Sequence, residues 1–184
     1  MLVAGTGWVL PLPSVPLGTG FPDAGPEQAA AIEQLKSALL ARDGNVLASL
    51  VDPLHGMDAQ LLHNGTVVNY DQSHAKYLFE SDYAVDWGPA PASGLHEQGS
   101  FRELFVPALL EVFTTDYSLV CNHLQVGGAS YTPTWSYPGI DFYSVYFPGT
   151  QANGSLDWQT WVLGMRVIES DAYIYAMTHF AWEP

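Results

Sequence analysis

WQTWVLGMRVIESDAYIYAMTHFAW, residues 158–182, decides the architecture. Two long runs rich in aromatic and β-branched residues flank a polar break at Ser170-Asp171. Such runs read as strands, and the short break reads as a hairpin turn. A turn at Ser170-Asp171 opposes Arg166 to Tyr175, Gly164 to Met177 and Val162 to His179. Side chains alternate along a strand, so these residues share one face with Tyr173 and Trp158. The other face carries Trp161, Leu163, Met165, Val167, Ile174, Ala176 and Phe180. That more uniformly apolar face is expected to pack on helices, leaving the mixed Arg166/Tyr175/His179 face outward.

Working back from the hairpin, further strands are predicted over about 117–126 and 140–147. Before them, Ser100-Phe101-Arg102-Glu103 forms a capping box that opens a helix through Leu104, Phe105, Leu109 and Val112. Pro107 is expected to kink that helix or to confine its regular part to one side. Residues 82–99, with Trp87-Gly88-Pro89 and His96, read as a long loop. Ala59–His63 and Thr66–Tyr70 flank Asn64-Gly65, a strong hairpin signal, and Asp71 caps a short helix toward Phe79. Gly25-Pro26-Glu27 starts a first helix with Ile32, Leu35 and Leu39 on its apolar stripe, and Asp43-Gly44 ends it. Asp43 then caps a second helix, Asn45 to Val51, stopped by Asp52-Pro53. Residues 1–25 carry Pro11, Pro13, Pro16 and Pro22 and read as an extended arm, either docked or a tether. The expectation is an arm over 1–25 and a single α+β domain over 26–184. In that domain, N-terminal helices pack on a curved, cone-like antiparallel sheet of four to six strands.

Charge narrows the partners. Nineteen acidic residues face five basic ones, a net charge of −14. Phosphate backbones are held by Lys and Arg, so nucleic acid is disfavoured, and anionic membrane surfaces are disfavoured for the same reason. No apolar run reaches the length of a membrane span, so direct membrane insertion is not expected. Charged residues are only 13% of the chain, unlike the dense surface of a halophile. With Cys121 the only cysteine, no intramolecular disulfide forms. The expected location is extracytoplasmic, secreted or surface-anchored, with any signal outside this chain.

The order of elements, helix, short helix, small hairpin, capped helix and antiparallel strands, resembles the nuclear-transport-factor-2-like superfamily. That superfamily includes ketosteroid isomerase, SnoaL-like cyclases and limonene epoxide hydrolase. The resemblance spans residues 26–182 and implies a cone-shaped α+β fold that often dimerises through the outer sheet face. No acid–base set of those enzymes is matched: Arg166 is followed by Val167 and Ile168, not by an Arg-x-Asp pair. The segment Trp87-Gly88, Ser100–Glu103, Asp157-Trp158 and His179–Trp182 also resembles secreted or lipoprotein-type bacterial domains.

Chemistry-bearing candidates are sparse. His179 with Asp141 or Asp157 would suit general acid–base work, and His123 and His55 are further candidates if they line a cavity. The six histidines show no H-x-H or i,i+4 pair, so neither a metal nor another cofactor is expected. Cys121, beside Leu119 and Val120, reads as a small buried hydrophobe. No Gly-x-Ser-x-Gly elbow or P-loop is present. The aromatics are the richest feature: Trp87, Trp135, Tyr146 and Trp161 are the candidates for a cleft holding a small apolar or sugar ligand. Two readings follow. One is an extracytoplasmic, non-catalytic binding or assembly domain, dimeric through its outer sheet face. The other is an acid–base isomerase, cyclase or hydrolase acting inside the cone.

Overall fold

The computed structural model describes residues 25–183, so all of the expected arm except Gly25 lies outside the described residues. Helix α1 (Pro26–Ala41) begins with proline in its first turn and Glu27 against the N-terminal dipole. Ala31, Ile32, Leu35, Ala38 and Leu39 form its buried stripe. Arg42 ends it at a positive φ of 53°, and the Asp43 carboxylate accepts from the Asn45 and Val46 amides at 3.0 and 3.1 Å. That cap starts α2 (Gly44–Leu50), which adds Leu47 and Leu50 to the core.

The main sheet has six strands, β1 (Met57–Gln60), β2 (Val67–Tyr70), β5 (Ser118–Cys121), β6 (Asp141–Phe147), β7 (Gln159–Ile168) and β8 (Asp171–Ala181). A separate two-stranded ribbon is formed by β3 (Val85–Pro89) and β4 (His96–Gly99). The main order is β2-β1-β8-β7-β6-β5. All its pairs are antiparallel except β1 with β8, so the sheet is mixed where an antiparallel one was expected. The parallel pair arises because the chain crosses the whole sheet between β1 and β8, and a long crossover permits parallel pairing.

Three local readings change. The β1–β2 connection runs over residues 61–66 instead of turning tightly at Asn64-Gly65. Gly65 is drawn against β3: Thr66 donates to the Trp87 carbonyl at 2.9 Å, and a Cβ on Gly65 would lie 2.1 Å from that oxygen. The expected loop 82–99 contains the β3–β4 ribbon, whose register shifts between Asp86 and Pro89. The third change is in the first turn of the capped helix, whose regular part is confined to one side as expected of Pro107. Glu103 Oε2 accepts from the Ser100 amide and hydroxyl at 3.0 and 2.9 Å, but the first turn, Phe101–Phe105, is a π-helix. Regular helix α4 (Val106–Phe113) follows. Pro107 in a regular helix would clash with the carbonyl four residues back, and a wider turn relieves the clash.

Helix α3 (Gln72–Ala75), capped by Asp71, is a single turn. The helices cover one side of the sheet. Phe105 links the layers: its ring lies 4.5 Å from Phe101, 5.5 Å from Trp87 and 4.7 Å from Trp161. Leu109, Phe113, Tyr143, Val145, Leu163, Met165, Ile174 and Met177 fill the space around it. The interior between helices and sheet is therefore occupied by the chain's own side chains.

The β7–β8 hairpin carries the main correction. Its turn is Glu169-Ser170, and Arg166 opposes Tyr173. A bulge at Tyr175 then shifts the register, so that Gly164 opposes Ala176, Val162 opposes Thr178 and Trp161 opposes His179. One extra residue inverts the facing of everything beyond it. His179 and Met177 therefore join Trp161 and Leu163 on the helix side, while Ala176, Thr178 and Phe180 turn outward. Arg166, Tyr173 and Tyr175, before the shift, keep the outward facing expected of them.

That outer face is not bare. Residues 122–140 run back across it as a strap, and Leu124, Val126, Ala129, Tyr131 and Trp135 pack on Trp158, Val162 and Phe180. Outward polar groups of the sheet hold the strap down. Ser144 Oγ donates to the His123 carbonyl at 2.7 Å and accepts from the Gln125 amide at 3.2 Å. Thr160 Oγ1 donates to the Gln125 carbonyl at 2.7 Å. Trp158 Nε1 donates to the Gly128 carbonyl at 2.9 Å, and Tyr131 donates to the Ala181 carbonyl at 2.8 Å. A partner approaching this side of the sheet would meet the strap first.

Candidate functional site

An apolar, tyrosine-rich cleft lies beside β2 and α3. Its volume is about 420 Å³, within the range of small-molecule sites. Tyr70, Leu78 and the buried Phe101 line it, with Tyr70 edge-on to Phe101 at 5.7 Å. Tyr77 and Tyr83 stand higher, 55% and 77% exposed. Local sequence explains the arrangement. Asp71 Oδ1 accepts from the His74 amide at 2.9 Å, so the chain turns sharply after Tyr70 and presents His74 and Tyr77 on the same side. Ser81 Oγ then accepts from the Tyr83 amide at 3.1 Å, which turns Tyr83 back.

Burial, with Tyr83 beside it, pushes the Tyr70 phenol up to about 12, so it stays protonated at neutral pH. Beside the lining residues Tyr70 and His74, the Ser73 hydroxyl and the His74 amide hold Asp71 down at about 2. Asp71 is therefore a fixed negative charge next to the cleft.

Two polar clusters lie elsewhere. In the first, Arg166 grips the buried Asp52 through Nε at 2.6 Å and Nη2 at 2.5 Å. Burial opposes ionisation of Asp52, but the guanidinium and the His55 and Leu54 amides outweigh it and lower its pKa. Arg166 lies over the Tyr175 ring, which stacks on His55 at 3.8 Å. Asp58 accepts from Tyr137 at 2.9 Å and from Asn69 at 2.8 Å, with His55 Nε2 at 3.3 Å. This cluster ties the strap to β1 and β8.

In the second cluster, His63 Nδ1 meets Glu183 Oε1 at 2.5 Å, and the His63 ring stacks on Tyr131 at 3.8 Å. His179 stacks on Trp161 at 4.6 Å, and its Nδ1 donates to the Leu61 carbonyl at 3.2 Å. Burial pushes His179 down to about 4, so it is neutral at pH 7. With the proton on Nδ1, Nε2 is left to accept, and the Gln159 side-chain amide lies 3.1 Å from it. A cleft of about 100 Å³ borders His63, His179 and Glu183.

The residues singled out in the sequence are dispersed. His179 faces the helix-side layer and the small cleft. His55 lies against Tyr175 on the opposite side, and Asp141, at the start of β6, accepts from Asn122 at 2.9 Å. Asp157 closes its own loop through Thr150 and Asn153. His123 is exposed and contributes its carbonyl to the strap. Trp87 and Trp161 are fully buried, donating to the Gly99 and Ala108 carbonyls at 3.0 and 3.1 Å. Trp135 and Tyr146 pack between strap and sheet. None of these nine candidates lines the aromatic cleft.

The cleft residues were missed because they straddle a strand end, a single helical turn and a bend, with no shared periodicity. The available signal was the density of Tyr70, His74, Tyr77, Phe79 and Tyr83 in one short segment. Among the described residues, no three His, Cys, Asp or Glu side chains are placed to hold a metal ion, and no helix is long and apolar enough to cross a membrane.

The fold and the cleft define the class: an α+β domain with a filled interior and an aromatic surface cleft. No family model, curated protein or solved structure matches the chain.

Proposed function

We propose that this chain is a non-catalytic binding domain of the nuclear-transport-factor-2-like kind, acting outside the cytoplasm, with its ligand in the aromatic cleft. The observation that carries the reading is the exposure of Tyr77 and Tyr83 over a cleft of about 420 Å³. Aromatic rings left in water beside a concave apolar surface gain by covering it with a ligand. Support for the superfamily reading comes from the α+β order of elements and from the helices lying on one face of the sheet. A thermal-shift screen of small aromatic alcohols, sugars and ammonium compounds tests the binding reading. A ligand present at tenfold its Kd should raise Tm by roughly 3–5 °C. Tyr77→Ala with Tyr83→Ala should remove the shift without lowering the unliganded Tm. A complete panel that leaves Tm unchanged counts against the reading.

One observation favours the acid–base alternative: a neutral His179 beside the His63–Glu183 pair. The adjoining space, about 100 Å³, is smaller than a typical substrate site, so binding in the larger cleft is the better supported reading.

A further inference from the structure

The non-aromatic polar groups of the cleft are partly committed within the chain. Asn69 Nδ2 is committed to the His55 carbonyl at 3.1 Å and to Asp58 Oδ1 at 2.8 Å. Ser81 Oγ accepts from the Tyr83 amide, and His74 Nδ1 is paired with Asp71 at 2.9 Å. A sugar is held by several hydrogen bonds, and these groups have spent part of their capacity for them on the fold. What the cleft does offer is π faces and negative charge. A tyrosine face attracts a cation within about 6 Å of its centroid, and the attraction needs no lone pair or N–H. Tyr77 already shows this within the chain, with Lys76 Nζ 5.7 Å from its ring centroid. Asp71, next in the chain to Tyr70 and paired with the lining His74, is ionised, and the whole chain carries −14. Carboxylate and phosphate ligands are opposed by that field.

We infer that the cleft binds a small organic cation, an alkylated or quaternary ammonium head, caged by Tyr70, Tyr77, Tyr83 and Phe101 and drawn by Asp71. The inference rests on the binding reading above and adds the chemical class of the ligand. The ligand's cation takes the place of the Lys76 ammonium over Tyr77, so Lys76 is its internal competitor.

The test is calorimetric titration of the full chain with choline, with its neutral isostere 3,3-dimethyl-1-butanol, and with glucose. Choline should bind at least about fivefold more tightly than the isostere, the ratio expected of a modest cation–π contribution. Lys76→Gln should tighten choline binding, and Tyr77→Ala with Tyr83→Ala should abolish it at unchanged Tm. Tyr83→Phe should retain it, because the ring is kept. The cation assignment is overturned if the isostere or glucose binds as tightly. It is equally overturned if choline binding survives the double alanine variant, since the acidic surface alone would then be responsible. If nothing in this set or in the wider screen binds, the cleft reading itself fails, a result distinct from failure of the cation alone.

Discussion

His179 answers to two neighbours at once. Its ring stacks on the buried Trp161, and its Nδ1 proton is held by the Leu61 carbonyl. Desolvation outweighs that hydrogen bond and pushes the folded-state pKa to about 4, against 6.5 for the ordinary side chain. Between those two values the unfolded chain binds a proton that the folded chain refuses. The stabilisation is therefore complete above pH 6.5 and is lost as pH falls toward 4. Between pH 7 and pH 5 the loss from this residue is about 2 kcal/mol. The carboxylates with lowered pKa values, Asp52 among them, lose their contribution only at more acidic pH. Urea denaturation of the parent and of His179→Gln at pH 7 and pH 5 separates the effects. The parent should lose about 2 kcal/mol more than the variant over this interval. Equal losses would show that the imidazole protonates in place.

At the scale of elements, the strap is what holds the outer sheet face, and Gly164 is one of its close seats. A Cβ at Gly164 would lie 2.6 Å from the Trp135 ring. Replacing a strand glycine with alanine ordinarily gains about 0.5–1 kcal/mol from backbone entropy. Here overpacking against an indole should cost about 1–3 kcal/mol and win. Gly164→Ala should lower Tm and speed amide exchange over residues 122–140, with α1 still protected. A raised Tm with unchanged exchange would mean that Trp135 is not seated on Gly164. The same elements show what the sequence makes legible. Both strands of the last hairpin, the Asp43 and Asp71 caps and the Ser100–Glu103 box declare themselves through local pattern. The bulge at Tyr175 does not, because a register shift is set by what packs on both faces, and it alone carries His179 from the outer face to the inner. The strap has no periodicity, since Leu124, Val126, Tyr131 and Trp135 touch the sheet at irregular intervals. The β3–β4 ribbon is hidden for the opposite reason: its second strand, His96–Gly99, is mostly exposed and polar. Trp87 therefore reads as a loop aromatic when it is a core residue. The cleft fails to show because its aromatics converge from three short pieces of chain.

For the whole molecule, the dominant quantity is the imbalance of nineteen acids against five bases. Arg166 is spent on Asp52, and Arg102 pairs with Asp82. Few carboxylates therefore have an Arg partner among the described residues, and the repulsion of the excess is reduced by salt over about 10 Å at 0.1 M. Salt weakens attractions as well, but the Asp52–Arg166 pair has its carboxylate fully buried and is screened least. Net repulsion should govern the response. Raising NaCl from 20 mM to 500 mM should raise Tm by a few degrees, as relief of self-repulsion amounting to about 1 kcal/mol would do. A Tm that falls instead would mean that the few ion pairs outweigh the excess charge. The same field bears on self-association, which we propose to occur on the strap side of the sheet. Two copies each carrying −14 repel at long range, so dimerisation there must strengthen with salt. Sedimentation equilibrium at the two salt concentrations measures this directly. A chain that stays monomeric at 500 mM NaCl and high protein concentration has no dimer surface on that face, because screening will by then have removed the main force holding the copies apart.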